Sequence, residues 1–72
     1  MVKKKDILTI VGDNIRQLRI SQGMSQNQLA FEAGVTREFV NKVESGKNNI
    51  SITNLEKIAH ILEVDIKDLF NS

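Results

Sequence analysis

The 72-residue chain contains no cysteine, proline, tryptophan or tyrosine, and only one histidine. Without thiols there is no disulfide, no thiolate metal site and no cysteine nucleophile. His60 alone cannot build a histidine-based zinc site, so neither a metal nor another cofactor is expected. Without proline, nothing forces a helix to break. No apolar run nears the roughly 18 residues of a membrane span, and no signal-peptide pattern opens the chain. A domain this short hides only about 60% of its unfolded surface on folding. Lacking covalent and metal staples, it must depend on well-packed helices or on a second copy of itself.

Charge is scarce in net terms and informative in placement. The formal charge is +1, which neither demands nor excludes a polyanionic partner. Residues 1–50 carry eight Lys/Arg against five Asp/Glu, whereas residues 51–72 carry two against four. A basic body and an acidic end suit one face for a polyanion and another for a different contact. Residues 1–5, with Lys3-Lys4-Lys5, read as a basic, flexible N-terminus; a phosphate-binding arm is the alternative.

The apolar residues recur with helical periodicity throughout. A first helix is expected from Asp6 or Ile7 to Gln22, with Leu8, Val11, Ile15 and Leu18 on one stripe. Gly12 weakens its interior, and Gly23 ends it, with Met24 folding back as the usual hydrophobic contact. Ser25 opens a second helix, and Gln28 stands at capping-box spacing from it. Leu29, Ala30 and Ala33 form its inner face, and Gly34 closes it. Thr36 caps a third helix reaching Ser45, with Phe39, Val40 and Val43 inward. Arg37, Glu38, Asn41, Lys42 and Ser45 lie on its outer face. Ser51 caps a fourth, reaching about Glu63, with Ile52, Leu55, Ile58, Ala59 and Leu62 on one side. Asp65 caps a final short turn carrying Ile66, Leu69 and Phe70. The expectation is a single all-α domain of five helices, residues 1–72, with Gly23, Gly34 and Gly46 at helix ends. Arg19 and Glu44 are charges stranded on the apolar faces of different helices. A buried charge needs a partner, and the economical solution is that they pair.

Two short helices joined by a tight glycine turn, the second with a polar outer face, make a helix-turn-helix with its core at 25–46. Ala30 lies where the helices approach, Gly34 at the turn, and Val40 and Val43 plug the second helix into the core. The runs IRQLRISQGMSQNQLAFEAGVTREFVNKVESGK and ISITNLEKIAHILEVDIKDLF, within residues 12–70, resemble the phage-repressor and Cro-type, or XRE-like, helix-turn-helix family. The resemblance implies a lambda-repressor-like domain that binds operator DNA as a two-fold dimer and regulates transcription in a bacterium or phage. It places the helix of residues 36–45 in the major groove. Arg37, Glu38 and Lys42 then match base-reading positions, with Thr36 and Asn41 beside them. Gln26 matches a phosphate-gripping position, and Lys47 and Asn48 fall in a phosphate-contacting loop. The Arg19–Glu44 pair matches one that the family uses to fix its first helix against its third. The loop Asn48-Asn49-Ile50 departs from the family in lacking a proline. Such a regulator is expected in the cytoplasm, at the nucleoid.

Each residue also has a plainer reading. Glu38 either accepts from cytosine or orients Arg37 and Lys42; Lys42 meets bases or phosphate; Asn41 reads a base or is a spacer. Phe39 reads as core packing. Phe31, off the inner face of its helix, hints at a partner surface. His60 reads as a solvated residue. Ser25, Thr36 and Ser51 are explained by capping, and nothing assembles an acid–base pair, so no enzyme is expected. Ile61 and Phe70 are the candidate dimer contacts. The competing class is a protein-interaction module of the same fold, antitoxin-like or otherwise. Among DNA regulators the residues leave open a phage repressor, an antitoxin-like autoregulator and a restriction–modification controller. The Asn-Asn-Ile-Ser loop and the aromatic at position 39 resemble the controllers. No small-molecule effector is expected.

Overall fold

Three hydroxyl side chains start three of the helices. The oxygens of Ser25, Thr36 and Ser51 accept from the amides of Gln28, Phe39 and Asn54 at 3.0, 3.0 and 3.1 Å, satisfying one orphan donor of each first turn. The computed structural model describes residues 4–71, with side chains from Ile7 to Asn71. It comprises α1 (Lys4–Ser21), α2 (Gln26–Ala33), α3 (Arg37–Glu44), α4 (Ile52–Ile61) and a closing 3-10 helix (Ile66–Phe70). There is no strand among the described residues, as an all-α reading requires.

The five-helix count is corrected to four α-helices and one 3-10 helix. The last element has five residues and is closed by i→i+3 bonds such as Asp68 N–H to Asp65 O at 2.9 Å, too short a run for an α-helical ladder. Boundaries also move. α1 begins at Lys4, two residues before the earliest expected start, α3 stops at Glu44, and α4 stops at Ile61 rather than near Glu63. The expectation for a flexible N-terminus falls outside the description for residues 1–3; Lys4 and Lys5 enter only as α1 backbone. The Ser25 capping box is incomplete, because the Gln28 amide turns to Glu32 (3.4 Å) instead of back to the cap.

All four helices end in the same way. The amides of Met24, Val35, Lys47 and Val64 each donate to the carbonyl five residues back, at 2.9–3.0 Å. The preceding amide in each case bonds the carbonyl three back, which completes a Schellman motif. The residue at the bend must take a left-handed conformation. Gly23, Gly34 and Gly46 supply it with φ of 70°, 69° and 74°, and Glu63 supplies the fourth with φ 61°. A side chain at that angle is strained, so Glu63 is tolerated where glycine would be the natural choice.

The core is drawn from every element: Val11 and Ile15 of α1, Leu29, Ala30 and Ala33 of α2, Val40 and Val43 of α3, Leu55, Ile58 and Ala59 of α4, then Leu62 and Leu69. Leu18, Met24 and Phe39 pack on its margin. Ile52 does not join them. It is 67% exposed in the first turn of α4. α1 lies against α3 and the 3-10 helix, and α2 against α3 and α4. Two side-chain amides latch the C-terminal part onto α1. Asn14 Nδ2 donates to the carbonyls of Leu69 (2.9 Å) and Asn71 (2.6 Å), and Gln22 Nε2 to that of Leu62 (2.7 Å). Among the described residues no helix is long and apolar enough to cross a membrane.

Gly12 proves to be a packing residue. A Cβ there would overlap the Val43 carbonyl oxygen and come within 2.9 Å of that of Glu44. α1 therefore crosses the end of α3 backbone to backbone, and no flexible side chain is available to yield. Gly12→Ala should lower stability by about 2–3 kcal/mol, seen in thermal unfolding as a midpoint drop of about 10 °C or more. A glycine merely diluting a helix would give the opposite sign, a gain of roughly 0.5–1 kcal/mol.

Candidate nucleic-acid interface

α3 is built to show one face and bury the other. Val40 and Val43 are sealed in the core and Phe39 is half-buried against it, which fixes the rotation of the helix about its axis. The opposite face then presents Arg37, Glu38, Asn41 and Lys42, all exposed and all lining one open cleft. Thr36, exposed beside them, spends its oxygen as an acceptor in the cap and keeps its hydroxyl proton as a donor. Ser45, expected as the last helical residue, is the C-cap; its hydroxyl donates to Lys42 O at 3.1 Å. Past the Gly46 bend, Lys47 stands exposed and Asn48 is half-buried. The bend rests on α1, since a Cβ at Gly46 would lie 3.2 Å from Thr9 Cα.

Beneath this face the Arg19–Glu44 pair holds α1 to α3. Arg19 Nε and Nη2 donate to the two carboxylate oxygens of Glu44 at 2.6 and 3.0 Å, a bidentate fork with both residues buried. Arg19 Nη1 donates to Met24 O at 2.8 Å, tying the turn before α2 into the same knot. The hydrogen bond to Glu44 raises the Arg19 pKa, burial works against it, and charge attraction adds to the rise. The guanidinium thus stays charged at any working pH.

Gln26 sits at the first position of α2 and is half-buried. Its Nε2 donates to Glu44 Oε1 at 3.0 Å, so the carboxylate accepts a third bond and links α1, α2 and α3. This tether was not legible in the sequence, where Gln26 stood out only through the family pattern. Arg16, Asp13, Gln26, Asn41, Glu44 and Ser45 line a second open cleft where the three helices meet. The two proposed dimer residues lie apart from all of this. Ile61 is half-buried and packs on the core instead of standing clear of it, while Phe70 is 43% exposed. Phe31 is 86% exposed on α2, and His60 is exposed on α4.

A helix-turn-helix family profile, HTH_3, matches residues 15–69, which include all of α2, α3 and α4. The chain belongs to the helix-turn-helix family. It is similar to the control protein C.BamHI of Bacillus amyloliquefaciens, 40% identical over 67 residues that span 92% of this chain and 83% of that protein. Its fold is similar to the restriction-modification controller protein C.AhdI from Aeromonas hydrophila, with a TM-score of 0.84 and 40% identity, covering 88% of this chain and 96% of that one. It is also similar to SinR, a master regulator for biofilm formation solved in complex with DNA. There the TM-score is 0.79 at 34% identity, covering 85% of this chain and 98% of that one.

Removing one partner of the buried pair leaves the other charge uncompensated. Glu44→Ala should therefore destabilise by about 3–5 kcal/mol in urea unfolding, a large part of the stability of a domain this small. The double replacement Arg19→Met with Glu44→Leu should cost less than either single loss, because no buried charge remains. A cost below about 1 kcal/mol for Glu44→Ala would make the pair equivalent to a surface bridge.

Proposed function

We propose that this chain is a sequence-specific regulator of transcription that binds double-stranded DNA with α3 in the major groove. The observation that carries the reading is the α3 face itself: Arg37, Glu38, Asn41 and Lys42 exposed together, on a helix whose rotation is locked by Val40, Val43 and Phe39. Arg37 offers a fork for guanine O6 and N7, Glu38 an acceptor for cytosine N4, and Asn41 a bidentate partner for adenine. Thr36 and Lys42 flank them. Gln26 on one side and Lys47 with Asn48 on the other hold the phosphate backbone, which positions the helix without reading sequence. Two copies bind a two-fold operator with half-sites about 34 Å apart. The similarity to C.BamHI and C.AhdI supports a restriction–modification controller, a binding protein with no catalytic role.

Phe31, 86% exposed, favours a second reading in which the fold serves mainly to bind another protein. Salt dependence separates the two, because phosphate contacts release counterions and weaken steeply as salt rises. Selection from a random duplex pool should return a two-fold site. On that site Arg37→Ala should cost about 1–3 kcal/mol and relax one base position, while Lys47→Ala weakens all sequences alike. An Arg37→Ala variant with the parent preference at every position would remove Arg37 from the readout.

A further inference from the structure

Outside the residues already assigned, one cation stands at the edge of the proposed DNA face without a partner among the described residues. Arg16 is exposed on α1, one turn before the buried Arg19, and makes no hydrogen bond or ion pair among the described residues. It shares a cleft with Gln26, Asn41 and Ser45, and Asn41 also lines the cleft of Arg37, Glu38 and Lys42. The surface is therefore continuous from the base-reading positions, across Asn41, to Arg16.

The chemistry of that cleft suits an anion at its mouth. Its floor is the Glu44 carboxylate, whose charge is already matched by Arg19 and whose oxygens already accept three bonds. The Gln26 amide is held by one of those bonds, which fixes its direction and leaves its second N–H unclaimed. An arginine fork beside a fixed amide donor is a pairing that a phosphodiester oxygen satisfies. The one opposing charge at the rim is Asp13, exposed three residues before Arg16 on the same helix.

Resting on the DNA-binding reading above, we propose that Arg16 is a backbone-contacting residue that grips, together with Gln26, a single DNA phosphate at the junction of α1, α2 and α3. The contact carries no base information and adds to affinity and to salt dependence. Asp13 competes with the phosphate for the guanidinium and moderates its grip.

The test is fluorescence anisotropy on a random-sequence duplex and on a selected operator, from 50 to 200 mM salt. Arg16→Ala should weaken both duplexes by the same factor and make the slope of log K against log salt shallower by about 0.9, so its deficit relative to the parent shrinks about threefold across that range. Arg16→Lys should restore the slope, and Asp13→Asn should tighten binding. Combined with Gln26→Ala, the loss should be less than the product of the single losses, since both residues serve one phosphate. Lys57→Ala, on α4, is the control with unchanged slope. If the parent binds with a steep slope and Arg16→Ala has the same affinity and slope, the Arg16 assignment is wrong and the DNA reading stands. If the parent shows no salt-dependent DNA binding, the DNA reading falls and this inference with it.

Discussion

The buried fork between Arg19 and Glu44 is the interaction on which the rest of the arrangement depends. It joins the end of α1 to the end of α3 through two short hydrogen bonds, and its third and fourth arms reach Met24 O and the Gln26 amide. Three helices and the turn between two of them thus meet at one carboxylate and one guanidinium. In a domain with no cysteine and no metal cluster among its described residues, such a junction does the orienting that covalent staples do elsewhere. It also orients the proposed phosphate-binding amide of Gln26, so the same knot serves fold and function.

Backbone geometry makes that junction possible. The pair can close only if α1 and α3 approach closely, and Gly12 permits the approach by leaving no Cβ against the Val43 and Glu44 carbonyls. The four Schellman ends then stop each helix and turn the chain within a few residues, so α2 and α3 are held short and adjacent. With its inner face of Val40 and Val43 committed to the core, α3 has one rotational setting. Its polar face is consequently displayed rather than averaged over orientations. This is what a helix needs if its side chains are to meet base edges in a groove.

Much of this was legible in the residues, and for identifiable reasons. A hydroxyl before an apolar-periodic run and a glycine after it have local meanings, so Ser25, Thr36, Ser51, Gly23, Gly34 and Gly46 could be placed without tertiary knowledge. The ion pair emerged because a charge on an apolar stripe is conspicuous, and two such charges on two helices suggest each other. What stayed hidden depends on neighbours distant in the chain. Gly12 looks like any diluting glycine until α3 is laid across it. Glu63 gives no hint of a left-handed backbone, and Ile52 matches its stripe although it stays largely exposed. The bonds made by the amides of Asn14, Gln22 and Gln26 were hidden too, because a polar side chain does not announce which carbonyl or carboxylate it will find. The last element fell short of an α-helix for a reason of length alone.

The candidate interface follows the same division. Its central residues on α3 were recognisable from the helix face and the family pattern, whereas the margin along α1 appears only when three helices are seen to share a cleft. The charge distribution now has a physical sense: the exposed cations Arg37, Lys42 and Lys47 stand on α3 and its following loop, and the acidic surplus of the C-terminal part, Glu63 and Asp65, lies in the turn between α4 and the 3-10 helix. The most direct test is amide chemical-shift mapping of the isotope-labelled chain titrated with a random-sequence duplex. Placement of α3 in the groove requires perturbations concentrated at the start of α2, along α3 and in the Lys47–Asn48 loop, with α4 and the 3-10 helix little changed. Perturbations centred on Phe31 or on the acidic C-terminal end, or none at all, would contradict it.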